Sequence, residues 1–322
     1  MSVGESTSQP THSIQLKPTT NSTQHVIAGA GSGFFTRALC QPFDILKIRF
    51  QLQIEPIKRN SQLSKYRSLP QATITIFKEE GYKAFWKGHI PAQALSIVYT
   101  MVQFSSFELY SKKLCILFGD EHIKHQTMIN FLSGSMAGCS AMLLAYPFDV
   151  IRTRLISQSE PKVYLSVTDA FKRIYKKQGI RGLFLGLTPT LVQMAPFVGS
   201  QFAFYHICNN LWDKFDPKTN SNQIRFLEKT FISGAIAGVL AKVFVYPLDM
   251  IKKRLQVQGF EEARKCFGAV RTYNGAFDCI KKVVKEEKFW ALYKGLGPSV
   301  IKAGFTTALR FTFYQEILNL IS

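Results

Sequence analysis

Acidic residues are scarce in this chain of 322 residues: 21 Asp and Glu stand against 40 Lys and Arg, for a formal net charge of +19. Charge of either sign is also sparse, at 19% of residues, while hydrophobic residues reach 46%. An apolar fraction of that size excludes an intrinsically disordered chain. Cysteine is rare, and Cys40, Cys115, Cys139, Cys208, Cys266 and Cys279 are scattered singly. With no C-x-x-C and no histidine spacing suited to zinc, neither a disulfide scaffold nor a structural metal is expected. A reducing compartment, or cysteines that simply pack, fits better. A nucleophile–base constellation and a Gly-rich phosphate loop are missing too, which argues against an enzyme and against a resident cofactor.

The start of the chain lacks an apolar core and an Arg-rich amphipathic stretch. Residues 1–24 are rich in Ser, Thr, Gln and Pro, and read as a disordered polar tail rather than a cleavable leader. Any organellar address is then expected in the rest of the chain.

A basic excess has two common sources, a nucleic-acid surface or the loops of a membrane protein. Its distribution decides. Residues 88–107, 125–148 and 182–212 contain no Asp, Glu, Lys or Arg. A membrane-crossing helix needs about 20 such residues, and a soluble nucleic-acid binder has no use for three of them. The bases crowd between these runs instead, as in Lys47, Arg49, Lys58, Arg59, Lys65, Arg67, Lys78, Lys83 and Lys87. An integral membrane protein that does not bind nucleic acid is the reading.

Self-similarity organises the chain. Pro42-Phe43-Asp44-Ile45-Leu46-Lys47-Ile48-Arg49 returns as Pro147-Phe148-Asp149-Val150-Ile151-Arg152-Thr153-Arg154 and as Pro247-Leu248-Asp249-Met250-Ile251-Lys252-Lys253-Arg254. Small residues precede each proline, with glycine pairs four apart: Gly29 and Gly33, Gly134 and Gly138, Gly234 and Gly238. That spacing lets helix backbones approach closely in lipid. An aromatic–x–Gly element follows each time, as Trp86-Lys87-Gly88, Phe184-Leu185-Gly186 and Tyr293-Lys294-Gly295. Three repeats of about a hundred residues each result, covering 25–118, 119–217 and 218–322. Each reads as a long helix, a short charged amphipathic helix at the membrane surface (70–80, 166–178, 275–287), and a second long helix. The long helices are expected near 25–53, 89–113, 126–157, 187–213, 227–257 and 296–320. The fold class is an all-α membrane protein with six transmembrane helices in three pseudo-symmetric repeats.

The signature proline should bend the first helix of each repeat. The Asp and the base three positions later share one helix face. Charges inside a bilayer are costly alone, and three acids with three bases close a ring without leftovers. Such a ring is either a permanent clamp or a breakable gate.

The repeated P-x-D-x-x-[KR]-x-R, followed by [DE]-G-x-x-x-x-aromatic-[KR]-G, resembles the signature of the mitochondrial carrier family over the whole chain beyond the tail. The second repeat departs from it with Gln178-Gly179 and Leu185, and the third with Lys288 in place of glycine. The resemblance implies a monomeric six-helix barrel in the inner mitochondrial membrane that transports by alternating access. It pairs Asp44 with Arg152, Asp149 with Lys252 and Asp249 with Lys47 as a gate on the matrix side, braced by Gln51 and Gln256, with Ile156 in the third bracing place. On the opposite side Phe107-Glu108 keeps the family's acid, but Ser111 stands in the place of the base; Tyr205-His206 and Tyr314-Gln315 lack the acid. Closure there is expected to rest on packing and hydrogen bonds. The helix starts at Trp86, Lys87, Gly88 and at Tyr293, Lys294, Gly295 are implied cardiolipin sites, although helix capping and aromatic anchoring explain them nearly as well.

Residues that break the repeat inside the cavity point to the cargo. Arg37 and Lys242 lie seven positions before Asp44 and Asp249, about 20° short of two full turns, and so share their face. Lys302 and Arg310 stand on the last helix. All four are mid-span bases with no obvious acidic partner, which suits phosphate oxygens. Gln193, Met194, Phe197 and Gln201 form an uncharged wall in the second repeat, fit for a heterocycle or, for Met194 and Phe197, for plain packing. A molecule with a flat ring at one end and phosphates at the other is expected. The stretches 36–53, 84–99 and 246–268 resemble the branch of the family that carries thiamine diphosphate; an adenine or deoxynucleotide carrier has the same charge pattern.

Overall fold

A computed structural model describes residues 22–57, 64–118, 126–158, 162–215, 223–261, 263–264 and 271–321. Residues 1–21 of the tail, Lys58, Arg59 and Cys266 lie outside the described residues. Six long helices run as α1 (Ser22–Leu52), α3 (His89–Phe118), α4 (Gln126–Ser157), α6 (Leu187–Phe215), α7 (Gln223–Gln256) and α9 (Leu296–Ile321). Three short ones, α2 (Leu69–Glu80), α5 (Val167–Gly182) and α8 (Ala276–Glu287), separate the two long helices of each repeat. Every expected element is present, and α1 begins at Ser22, within the stretch read as tail. No strand occurs among the described residues.

Serine caps start two of the short helices, α2 and α5. Ser68 accepts from the Gln71 N–H at 3.4 Å, and Ser166 from the Asp169 N–H at 3.1 Å, satisfying donors that a helix start leaves open. Pro42, Pro147 and Pro247 lie inside α1, α4 and α7, and Pro196 lies inside α6. Each of the six long helices has at least 26 residues, ample for a bilayer at ~1.5 Å per residue. On length and composition together, Met128–Ser157 and Lys229–Gln256 are apolar enough to cross one; Val167–Gly182 and Leu187–Lys214 add a pair bent by 66°.

The repeats close on one another in a ring: α3 lies along α4, α6 along α7, and α9 along α1. The proline helices α1, α4 and α7 also meet each other. The glycine pairs were expected to give the close helix contacts, and the structure corrects this. A Cβ on Gly29, Gly33, Gly234 or Gly238 would meet nothing within 4 Å, and only Gly134 and Gly138 touch neighbours, Phe107 and Tyr99 of α3. The buried stripe is the one beside the glycines: Ala28, Ser32 and Thr36; Ser133, Ala137 and Ala141; Ser233, Ala237 and Ala241. It has the same four-residue spacing, so periodicity alone could not separate the two. Large apolar side chains such as Ile90, Phe104, Phe131 and Phe202 are exposed, as a lipid-facing surface requires.

Candidate functional site: a charge ring beneath a basic cavity

Where α1, α4 and α7 converge, the three signature aspartates are buried. Asp44 is paired with Arg152, Asp149 with Lys252 at 2.8 Å, and Asp249 with Lys47 at 2.6 Å. These are the three pairs expected. Gln51 Nε2 donates to Asp249 Oδ2 at 3.4 Å and to the Tyr246 hydroxyl at 3.1 Å. Gln256 Nε2 does the same for Asp149 Oδ2 at 2.8 Å and the Tyr146 hydroxyl at 3.2 Å.

The vacant bracing place at Ile156 is made good from another helix. Gln41 Oε1 accepts from Arg152 Nη2 at 3.4 Å, while Gln41 Nε2 donates to the Lys87 carbonyl at 3.1 Å. Gln41 stands just before its proline, where the other repeats have Tyr146 and Tyr246, whose hydroxyls donate to the Leu185 and Lys294 carbonyls at 2.9 Å each. The sequence did carry a signal, a Tyr-to-Gln change in the repeat that supplies Asp44, the acid of the one pair without a bracing Gln.

The aromatic–x–Gly elements dock on the charge ring itself. Gly88, Gly186 and Gly295 have φ of +74°, +80° and +84°, a region open to glycine at little cost. A Cβ on Gly88 would lie 3.1 Å from the Arg152 carbonyl oxygen, on Gly186 2.9 Å from that of Lys252, and on Gly295 2.8 Å from that of Lys47. Each second helix thus starts against the backbone of a ring base in the following repeat. Gly295→Ala should therefore lower the unfolding temperature, at a strain of ~1–3 kcal/mol. Gly234→Ala, with open space around it, should be neutral or slightly stabilising; equal behaviour of the two would refute the docking role.

Outside the ring, Arg49 forks onto Glu80 at 2.5 and 2.8 Å, and Glu80 also takes Lys87 at 2.5 Å. Burial would raise the Glu80 carboxyl, but Arg49 and Lys87 outweigh it and hold it below its ordinary value. Arg254 pairs likewise with Glu287, which takes Lys294 at 2.6 Å. In the second repeat Gln178 replaces the acid: its Oε1 accepts from Arg154 at 2.7 Å, and its Nε2 donates to the Gln258 carbonyl at 3.0 Å. A glutamate has no donor for that carbonyl, and Leu185 supplies no base to match a second charge. The departures at Gln178 and Leu185 thus belong together.

Among the cavity residues, two of the supposedly unpartnered bases have partners. Lys302 donates to both oxygens of Asp44 at 2.6 and 2.7 Å, and Lys242 reaches Asp249 at 3.4 Å. The long flexible stem of Lys242 spans the two helical turns that separate it from Asp249, while Lys302 reaches Asp44 from another helix, α9. Arg37 donates to the Ala92 carbonyl at 2.5 Å, within electrostatic range of Asp44, Arg152 and Arg310. Arg310 and Gln201 are exposed, and Met194 and Phe197 are half-buried. Gln193 Oε1 is buried without a donor. Sequence reasoning missed Lys253, which meets Asp149 at 3.0 Å; Ile48 and Thr153 fill its place in the other repeats.

At the far end, Glu108 pairs along its own helix with Lys112 at 2.7 Å. Tyr110 and Ser140 share a hydrogen bond of 2.9 Å, and His25 and Tyr314 one of 2.7 Å. Asp213 of α6 pairs with Lys229 of α7 at 2.6 Å, so hydrogen bonds and an inter-helix ion pair, rather than a full charge ring, join the helices there among the described residues.

The family model described as "Mitochondrial carrier protein" matches residues 18–116, 124–215 and 225–322. The chain belongs to the mitochondrial carrier family. The three matched segments follow the three repeats, and carriers of several kingdoms align along nearly the whole length. The chain is 42% identical to the mitochondrial thiamine pyrophosphate carrier of Homo sapiens, over 92% of this chain and 91% of that one. It is 36% identical to mitochondrial thiamine diphosphate carrier 2 of Zea mays, over 92% and 93%, and 34% identical to mitochondrial thiamine pyrophosphate carrier 1 of Coccidioides immitis, over 92% of each.

Proposed function

We propose that this carrier moves thiamine diphosphate across the mitochondrial inner membrane into the matrix by alternating access, with the charge ring as its matrix-side gate. The observation that carries the reading is that Lys302 and Lys242 meet the ring carboxylates Asp44 and Asp249 while their side chains stay partly exposed. Lysines there suit phosphate oxygens as charged donors, and Arg37 and Arg310 add charge on the walls. The uncharged side with Gln193, Met194 and Gln201 takes the organic half. Gln193 Oε1 lacks a donor, and the exocyclic amine of an aminopyrimidine supplies one. The names of the relatives support the same substrate.

In this reading the ion pairs close the matrix side while the cavity fills, and their rupture opens it. We further assign cardiolipin to the start of α9. A cleft of about 930 Å³ joins Tyr293, Lys294, Gly295 and Gly297 to Ser68 and Leu69 at the start of α2, so two helix N-termini face one space. Because Lys294 and Lys87 are already matched by Glu287 and Glu80, the lipid phosphates would be held chiefly by backbone N–H groups at α9 and, by analogy, beside Trp86 and Gly88 at α3. The carrier acts as a monomer, with one cavity per chain.

Uptake of labelled thiamine diphosphate into liposomes holding only the purified protein tests the reading. Saturable uptake is expected, competed by unlabelled thiamine diphosphate and poorly by ADP or dATP. Preferential uptake of the nucleotides would replace it with a nucleotide carrier.

A further inference from the structure

Every gate aspartate holds two bases rather than one, and the second base differs among the three. Asp44 takes Lys302 from α9, Asp249 takes Lys242 from α7, and Asp149 takes Lys253, also from α7. The side chains of Lys302 and Lys242 are 30% and 26% exposed, against 8% for Lys253. Lys253 is further tied to Thr153 at 3.0 Å and Gln256 at 2.9 Å. Lys302 and Lys242 have only their aspartates as hydrogen-bond partners among the described residues. An ammonium group has three donors, so each can meet a second anion from the cavity.

We infer that Lys302 and Lys242 are shared between gate and cargo: each takes one phosphoryl group of the diphosphate and in doing so releases Asp44 or Asp249. A ligand with two phosphoryl groups therefore loosens two of the three gate pairs, while Asp149, held by Lys252 and the buried Lys253, keeps its bases. The exchange replaces one charged partner of each lysine by another, so it is close to balanced and leaves the aspartate with a single base. A monophosphate can release only one pair. Preference for a diphosphate and opening of the gate would thus come from the same two side chains. The inference rests on the reading above that the cavity takes a diphosphate, but not on the organic half of the ligand.

Calorimetric binding of inorganic pyrophosphate and of thiamine diphosphate to the purified full chain tests it. Asp44→Asn and Asp249→Asn remove the competitor of a shared lysine, so both should bind pyrophosphate about tenfold more tightly, the scale of one charged hydrogen bond. Asp149→Asn loosens the gate without freeing a cavity lysine and should not tighten binding. Equal tightening in all three would mean general loosening, and no tightening in the first two would mean unshared lysines; either result overturns the inference. Should the aspartate variants fail to fold, Lys302→Gln still decides, since its affinity for pyrophosphate should drop to near that for inorganic phosphate. If pyrophosphate follows this pattern while thiamine diphosphate does not bind, the substrate reading fails and the sharing stands. If thiamine diphosphate is taken up but none of the asparagine variants alters its binding, the sharing fails and the substrate reading stands.

Discussion

Asp149→Lys is expected to abolish uptake in reconstituted liposomes, and Lys252→Asp in the same chain to restore only part of it. Asp149 is 4% exposed and accepts from Lys252 at 2.8 Å, Lys253 at 3.0 Å and Gln256 at 2.8 Å. Replacing it by lysine gathers three ammonium groups at a buried point, and removing one partner of a buried pair costs ~3–5 kcal/mol even without new repulsion. Reversing Lys252 rebuilds one pair, but Lys253 then faces the new lysine. Adding Lys253→Thr, the residue of the second repeat at that place, removes this conflict and should raise uptake further. Coupling of ~0.5–3 kcal/mol is the scale for contacting groups. A double variant as inactive as the single one, with the triple no better and all three folded, would show that Asp149 and Lys252 do not act as a pair.

The architecture was legible because it is written three times. Charge-free runs gave the spans, and the prolines and aromatic–x–Gly elements gave the register. The balance of acids and bases pointed to a ring, and the family resemblance supplied its pairing. What escaped is the chemistry of reach. Lys302 is 258 residues from Asp44 and on another repeat, so no spacing rule joins them; only the assembled ring sets the end of a lysine stem against a carboxylate of α1. Counting three acids against three signature bases hid the fact that each acid holds two. The small-residue stripe was misread for the opposite reason. Two adjacent stripes share one period, and glycine drew attention to the one facing open space. Gln41 and Gln178 show that departures from a repeat come in compensating pairs, a pattern readable in sequence once the partners are known.

Lys302→Gln should leave a folded protein whose affinity for thiamine diphosphate is lower by one to two decades. The change removes a charge but keeps much of the stem, and Asp44 retains Arg152, so the ring can still close. One charged hydrogen bond contributes ~1.5–3 kcal/mol, which at ~1.4 kcal/mol per decade gives that range. The loss should be unequal across ligands. With Lys242 alone over the gate, the second phosphoryl group has no comparable partner, so binding of the diphosphate should fall most and that of thiamine monophosphate much less. The advantage of diphosphate over monophosphate then shrinks toward unity. Lys242→Gln should do the same from the other wall, whereas Arg310→Gln, on the exposed face of α9, should weaken both ligands alike through the field of the cavity. Binding measured on purified protein, beside a thermal unfolding curve for each variant, separates these outcomes. If Lys302→Gln weakens both ligands equally, or neither while the fold is intact, the phosphate assignment is wrong. Lys302 would then be a second structural counter-charge for Asp44, like Lys253 for Asp149.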